Sequence, residues 1–190
     1  WKKARKPSDE EHAFNWRSEG YEEVVVQRAT IIASLLRMTS SDMIYADTDI
    51  HWIRNPQNLI SSSYSHYHFC LQREKGDELG DYNCSGFMYF KNTLLTHKFV
   101  TTWEGYIKRR LMKKGFFTDQ EEINALLRDL SSKKSLRYID TSLKKRFKAC
   151  TFEWDEFPSG INYFFHREKG KGKISKTCQS KRCKFLIWRN

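Results

Sequence analysis

Two carboxylates, one residue apart, follow a short apolar run in the first third of the chain. Asp47 and Asp49 come directly after residues 43–46, and Pro56 ends the segment. Oxygen ligands so placed can hold a hard divalent cation, Mg²⁺ or Mn²⁺, and a cation held in this way commonly carries a diphosphate. An isolated Asp-x-Asp also occurs by chance or as a pair of turn-forming aspartates. The preceding run favours a metal site, because ligands gather at the carboxyl ends of strands in α/β sheets.

Small residues stand directly before a second apolar run. Gly86 would let a ligand approach the backbone, and Ser85 could donate or accept a hydrogen bond. Taken alone, the pattern favours a tight loop that enters a core strand. Asn83-Cys84-Ser85 also fits the N-glycosylation sequence, but we set that use aside because a glycan there would block the predicted cleft.

A third polar pair, Asp119-Gln120, lies at the predicted start of a helix. An exposed carboxylate and amide in this position could hold sugar hydroxyls. The pattern around it, Thr118 followed by Glu121, is typical of a capping box, and a simple cap is the stronger interpretation of the pair by itself.

The hydrophobic spacing predicts strands that alternate with helices, which is typical of an α/β layered domain. A length of 190 residues fits one domain with a sizeable core. The predicted helices span about 22–38, 94–113 and 119–130, and the predicted strands span 43–46, 67–72, 86–91 and 136–139.

The net charge of +11 belongs entirely to the last third of the chain. Residues 1–130 contain 18 Lys/Arg and 18 Asp/Glu, whereas residues 131–190 contain 16 and 5. A solvated basic face is one interpretation; attraction to nucleotide phosphates, an anionic glycan, a membrane surface or nucleic acid are others. Charge alone does not choose among them, although no recognised nucleic-acid motif is present.

The remaining features concern the ends of the chain and its cysteines. Residues 1–19 are expected to form a surface segment and 167–184 a basic loop. Because the chain opens on Trp1 rather than Met, we expect it to be an internal piece of a longer protein. Cys178 and Cys183 could close a small disulfide or remain reduced thiols.

The order of these motifs resembles the nucleotide-diphospho-sugar transferase family of GT-A-type glycosyltransferases, which includes plant cell-wall xylosyl- and arabinosyltransferases. The resemblance runs from about residue 20 to the end. The matching pieces are Asp47-Thr48-Asp49 with Trp52 and Pro56, Cys84-Ser85-Gly86 with the trailing Thr93, Asp119-Gln120 with Asn124, and the turn Phe157-Pro158-Ser159-Gly160.

The resemblance implies a GT-A-like (Rossmann-like) mixed sheet flanked by helices, with this chain a partial domain incomplete at both ends. It implies transfer of a hexose or pentose from a nucleotide diphosphate sugar to a glycan or glycoprotein acceptor, with retention of anomeric configuration. Asp49 would bind Mn²⁺ or Mg²⁺, and Asp47 would share this metal or contact the ribose. Ser85 and Gly86 would line the sugar pocket, and Asp119 with Gln120 would hold the donor sugar or acceptor. It also implies a Golgi type II membrane protein, with its lumenal domain here and its anchor outside this chain.

Two departures from the family pattern bear on activity. Many members have Asn where this chain has Cys84, and Arg189 stands where a metal-completing His is expected. The sequence therefore leaves two alternatives open beside the active transferase. One is a degenerate transferase that keeps the fold without turnover, and the other is a non-catalytic module whose basic last third binds an anionic polymer.

Overall fold

The computed structural model describes residues 19–48, 50–52, 54–75, 82–113, 116–132, 139–153, 156–157 and 186–188. Along the chain the helices are α1 (Glu19–Val25), α2 (Gln27–Met38), α3 (Gln57–Leu59, continued by a π-helical turn over Ile60–Tyr64), α4 (Leu94–Leu111), α5 (Asp119–Ser131) and α6 (Thr141–Arg146). The strands are β1 (Met43–Ala46), β2 (Ile50–Trp52), β3 (Phe69–Lys75), β4 (Tyr82–Phe90), β5 (Ala149–Thr151) and β6 (Leu186–Trp188).

Four strands form a mixed sheet in the order β1-β4-β3-β5. Strand β4 is antiparallel to both of its neighbours, whereas β3 and β5 are parallel. Because β4 runs against β1, its second half pairs with β1 and its middle lies at the carboxyl end of β1, where Ala46 is opposite Phe87. Strands β2 and β6 form a separate antiparallel pair.

The two faces of the sheet carry separate hydrophobic clusters, because successive side chains of a strand point to opposite faces. From β4, Met88 and Phe90 join the larger cluster, which includes residues of α2, α4 and α5. Phe87 and Tyr89 join the smaller cluster, which includes Tyr64, Phe152 and Phe157. This alternation explains why β4 is apolar at every position from 87 to 90.

Most of the predicted elements are present, several with shifted ends. The helix predicted over 22–38 is divided into α1 and α2, and the surface segment predicted over 1–19 lies outside the described residues except for Glu19, which begins α1. The strand predicted over 86–91 begins earlier, at Tyr82, so residues 83–86 belong to a strand rather than to an entering loop. The strand predicted over 136–139 lies outside the described residues except for Ile139, which is not in a strand.

A disulfide joins Cys70 of β3 to Cys150 of β5, which are direct partners in the parallel pair. The sequence did not indicate this pair; it pointed to Cys178 and Cys183, which lie outside the described residues, as does the basic loop 167–184. Cys84 is buried and forms no disulfide with another described cysteine. Among the described residues, no helix combines the length and apolar composition that crossing a bilayer requires.

Candidate active site

The first aspartate of the Asp-x-Asp motif lies where β1 ends and is held there by its own backbone. The amide of Asp47 donates to the carbonyl oxygen of Gly86 (2.8 Å), and its carbonyl accepts from the amide of Ile50 (3.2 Å). Its side-chain Oδ1 accepts a short hydrogen bond from the hydroxyl of Tyr45. The carboxylate is therefore fixed at the carboxyl end of a strand, as the sequence predicted. Asp49 lies outside the described residues.

Gly86 is required by the close approach of Asp47. A Cβ atom at position 86 would lie 2.9 Å from Asp47 Oδ2 and 3.2 Å from the sulfur of Cys84. The carboxylate fills the space that any larger residue would need. The amide of Gly86 donates to Cys84 Sγ (3.3 Å), and this bond adds a second restraint on the same stretch of β4.

Asp119 enters the site as the first residue of α5, and it is not the cap of that helix. Thr118 is the N-cap, and its side chain with that of Glu121 forms a complete capping box. This leaves Asp119 to point inward, where it is 2% exposed. The indole of Trp103 donates to its carbonyl oxygen (3.1 Å). The sequence was right about the box, and the structure removes the simple cap as an explanation for Asp119.

Burial raises the pKa of Asp119 to about 6, and the charge of Arg28 opposes that rise. A carboxyl group taken out of water loses hydration of its charged form, which favours the proton. The group is thus ionised at neutral pH, yet it titrates far closer to neutrality than an ordinary aspartate.

Amide side chains connect α5 to the start of β4. Gln120 Oε1 accepts from the amide of Ser85 (3.2 Å). Asn124 donates to the carbonyl of Asn83 (2.8 Å) and accepts from its amide (3.2 Å). These bonds set the distance between the helix and the strand. Asn83 is fully buried, which agrees with setting the glycosylation sequence aside.

Arg28 of α2 joins the candidate residues into one cluster. Its Nη2 lies 3.2 Å from Asp47 Oδ1, and its Nη1 lies 2.9 Å from Asp119 Oδ2. Nη1 also donates to Ser85 Oγ (2.8 Å), and the guanidinium carbon lies 5.0 Å from the centre of the Tyr45 ring. We call these five residues the Arg28 cluster: Arg28, Tyr45, Asp47, Ser85 and Asp119.

The pKa of Arg28 lies above its usual value. Burial would lower this pKa, but the charges of Asp119 and Asp47 together outweigh burial. For Asp119 the balance is reversed, since burial outweighs the single guanidinium. The cluster therefore holds one charged guanidinium between two carboxylates. When both carboxylates are ionised, their negative charge exceeds the charge of Arg28, so the cluster attracts a further positive charge.

Sequence reasoning missed Arg28, although one signal was available. Arg28 stands three residues after Val25 and four before Ile32, both of which are buried. A charged residue on the buried stripe of an amphipathic helix needs a partner, because burying an unpaired charge is costly. The partners of Arg28 are far away in the chain. Its position on the helix therefore indicated a buried ion pair but did not identify the partner residues.

The described residues offer part of a cation site. Asp47 Oδ2 accepts no hydrogen bond from the part of the chain that the structure describes, and it lies 2.9 Å from the place that a Cβ atom at position 86 would take. A hard carboxylate oxygen of this kind suits Mg²⁺ or Mn²⁺. No group of three His, Cys, Asp or Glu residues within the described ranges is arranged to hold a metal. Asp47 thus fits as one ligand, with Asp49 the expected second.

The remaining motif residues are placed apart from the cluster. Trp52 packs edge-on against Phe87 (5.9 Å between ring centres), and Thr93 caps α4 through the amide of Thr96. Phe157 belongs to the smaller hydrophobic cluster, and the rest of its turn, 158–160, lies outside the described residues, as does Arg189. The three described residues, Trp52, Thr93 and Phe157, support the fold around the site and are not part of the Arg28 cluster.

Comparison with protein families agrees with this arrangement. A family model described as nucleotide-diphospho-sugar transferase matches residues 1–177. The chain belongs to the nucleotide-diphospho-sugar transferase family. A search of curated proteins found no match. Membership in the transferase family identifies the general activity as transfer from a nucleotide sugar, with a nucleotide-sugar donor and an acceptor.

The fold of this transferase is the one the sequence predicted. A four-stranded mixed sheet flanked by helices is consistent with a GT-A-like nucleotide-sugar transferase. Six residues were chosen from the sequence as site residues, and one of them, Asp49, lies outside the described residues. The other five lie together at the end of β1, the middle of β4 and the start of α5: Asp47, Ser85, Gly86, Asp119 and Gln120. Their individual roles stay predictions.

Proposed function

We propose that this protein transfers a hexose or pentose from a nucleotide diphosphate sugar to a glycan or glycoprotein acceptor, and that the Arg28 cluster is the donor site. The observation that carries the proposal is the meeting of Asp47, Ser85 and Asp119 around one buried guanidinium. Two carboxylates, a hydroxyl and a fixed cation suit a ligand that combines sugar hydroxyls with phosphate charge.

The proposed metal ligands are Asp47 and Asp49, which would hold Mn²⁺ or Mg²⁺. When bound, the cation would neutralise the diphosphate and stabilise charge on the leaving group. Asp47 Oδ2 is the oxygen that we propose as the ligand, because Oδ1 is already engaged by Tyr45 and Arg28. Oδ2 lies beside Gly86, 2.9 Å from the place that a Cβ atom at position 86 would take.

Ser85 and Asp119 are the proposed sugar contacts. Ser85 Oγ accepts from Arg28, so its own hydrogen is left to donate to a sugar oxygen. Asp119 Oδ2 lies 2.9 Å from Arg28 Nη1, and within the described ranges it accepts no hydrogen bond of good geometry. A sugar hydroxyl that donated to this buried oxygen would satisfy it.

Gln120 has a supporting role in the proposal. Its side-chain oxygen accepts from the amide of Ser85, and this bond holds the wall of the pocket against α5. Direct contact between Gln120 and the donor sugar or the acceptor remains a prediction from the family resemblance, as does retention of anomeric configuration.

We further propose that the protein works in the Golgi lumen, as a type II membrane protein anchored outside this chain. The disulfide between Cys70 and Cys150 supports an oxidising compartment, because such bonds are rare where thiols are kept reduced. Peptide mapping of the protein from its native source, alkylated before reduction, would recover both cysteines as one linked pair if this is right.

Calorimetry with UDP and GDP tests the proposed donor site. We expect binding of one nucleotide that requires Mn²⁺, is abolished by EDTA, and is lost in Asp49→Ala and Asp47→Asn. Glu23→Gln is the matched control, because Glu23 is an exposed carboxylate on α1 outside the cluster. Absence of nucleotide binding with Mn²⁺ present would contradict the proposal.

The competing proposal is a module that binds an anionic polymer through its basic last third. In the described part of that region, α6 ends in Lys144, Lys145 and Arg146, and Lys148 is also exposed. Such binding would weaken steeply as the salt concentration rises and would not change when EDTA is added. Binding at a metal-dependent donor site would be abolished by EDTA and would depend less on salt.

A further inference from the structure

We propose that Arg28 is an internal counter-cation that competes with the divalent metal for Asp47, so that metal and nucleotide bind cooperatively. This inference rests on the proposed function, because it concerns the same metal and the same nucleotide. It assigns Arg28 a positioning role, exerted through the carboxylate of Asp47, that the family resemblance did not supply.

The competition follows from the way one carboxylate is shared. Arg28 Nη2 lies 3.2 Å from Asp47 Oδ1, and the side chain of Arg28 is only 17% exposed. A metal ion on the neighbouring oxygen Oδ2 would therefore stand close to a guanidinium that solvent screens poorly. Like charges repel strongly in such surroundings, so Arg28 in this position lowers the affinity of Asp47 for a cation.

Arg28 has a second anchor that lets it give up Asp47. Nη1 lies 2.9 Å from Asp119 Oδ2 and donates to Ser85 Oγ at 2.8 Å. The guanidinium could move toward Asp119 without being left as an unpaired buried charge, which is the costly alternative. No hydrogen bond of good geometry reaches Asp119 Oδ2 from the residues that the structure describes, so this oxygen has the capacity to receive one. The carboxylates of Asp47 and Asp119, on either side of Arg28, thus provide two positions in which its guanidinium is paired.

Cooperativity follows from the charges. A metal ion alone adds positive charge beside Arg28, whereas a metal ion with a nucleoside diphosphate adds a ligand whose phosphates offset both cations. The metal should therefore bind weakly by itself and much more tightly with nucleotide. By linkage, the nucleotide should gain the same factor from the metal.

Binding of Mn²⁺ alone tests the inference without any turnover. Free Mn²⁺ can be followed by electron paramagnetic resonance in the wild-type protein and in four variants. We expect Arg28→Met to tighten Mn²⁺ binding by at least about tenfold, because the competing charge is gone. Arg28→Lys keeps the charge and should stay near the wild-type affinity. Asp119→Asn removes the second anchor, so it should weaken Mn²⁺ binding further.

The last variant, Arg37→Met, is the matched control. Arg37 lies on the same helix, is exposed, and contacts Ser34 rather than the cluster. Its Mn²⁺ affinity should equal that of the wild type. An Arg28→Met protein that bound Mn²⁺ no more tightly than the wild type would overturn the inference, as would stronger binding in Asp119→Asn.

A charge-balanced variant covers the case in which Arg28→Met does not fold. Arg28→Met combined with Asp119→Asn removes one charge of each sign and keeps Asp47, and it should also bind Mn²⁺ more tightly than the wild type. Adding UDP or GDP separates the two proposals. If the nucleotide promotes Mn²⁺ binding but neither variant tightens binding of the metal alone, only the counter-cation inference fails. If Mn²⁺ does not bind even with nucleotide, the proposed function fails with it.

Discussion

Arg28 and Asp119 lie on different helices, and their charged groups meet 2.9 Å apart at the end of the sheet. The contact joins α2, which comes before β1, to α5, which comes after β4. It makes the site a product of tertiary packing, since neither helix carries it alone. Unfolding and binding measurements together separate the contribution of this contact to stability from its contribution to ligand binding.

Removing Arg28 should destabilise the fold strongly. Arg28→Met leaves Asp119 buried without its partner, and loss of one member of a buried ion pair typically costs about 3–5 kcal/mol. Urea unfolding measures the difference. The double variant with Asp119→Asn should recover much of the loss, because no buried charge is then left alone. A double variant as unstable as Arg28→Met would contradict this account of the pair.

Gly86→Ala should damage the site more than the fold. The added methyl group would lie 2.9 Å from Asp47 Oδ2, so the carboxylate must shift. We expect a stability loss of roughly 1–2 kcal/mol from overpacking. We also expect Mn²⁺-dependent nucleotide binding to weaken by at least about tenfold, since the shifted oxygen is the proposed metal ligand.

Gly105→Ala is the matched control for that substitution. The nearest atom to a new Cβ at position 105 is Arg109 Nη1, at 3.6 Å, an ordinary contact. Because Gly105 lies inside α4, alanine should leave binding unchanged and add about 0.5–1 kcal/mol of stability. Equal nucleotide affinities for the two variants would contradict the role given to the close approach at Gly86.

Asp119 should make stability depend on pH in a defined window. Its pKa in the fold, about 6, lies above the 3.8 of an ordinary aspartate. The folded state therefore holds the proton more tightly, so this contribution is fully present below about pH 4 and is lost as the pH rises through 6. The loss relative to Asp119→Asn should approach roughly 2–3 kcal/mol. Urea unfolding of both proteins from pH 4 to 7 measures it, and a constant difference would contradict the raised pKa.

The Cys70–Cys150 disulfide should stabilise the sheet. It closes a loop across a sequence separation of 80 residues, and a native bond of this kind contributes about 2–4 kcal/mol. Cys150→Ala should lower the free energy of unfolding by that amount. Dithiothreitol should destabilise the wild type and leave Cys150→Ala unaffected. Equal sensitivity of both proteins to the reductant would show that the bond is not the source of the stability.

The sequence identified those site residues whose neighbours in the chain form a recognisable pattern. Asp47 follows an apolar run, Gly86 precedes one, and Asp119 sits in a capping box, so each could be placed at the end of an element. The β4 strand was predicted too short because its first residues, from Tyr82 to Ser85, are polar or small. Residues 83–85 are buried, and α5 contacts this stretch through Asn124 and Gln120, which the alternation of a strand does not reveal.

Long-range partners could not be predicted in the same way. Arg28 belongs to the site only because α2 packs beside β1, and its nearest motif residue in the chain is Asp47. Cys70 and Cys150 pair because β3 and β5 are adjacent and in register, which depends on the strand order. A buried arginine and a disulfide-bonded cysteine both need a partner residue. The partner could be identified in each case only from the folded structure.

Nitrogen-labelled protein titrated with Mn²⁺ and then with UDP or GDP tests the central claim most directly. The amide signals of Ser85, Gly86 and Gln120 report on the Arg28 cluster, and that of Lys148 reports on the exposed basic surface beyond α6. The account predicts nucleotide-dependent changes concentrated at Ser85, Gly86 and Gln120, which appear only with metal present and disappear in Asp47→Asn. Changes centred on Lys148 and independent of metal, or no changes at all, would contradict it.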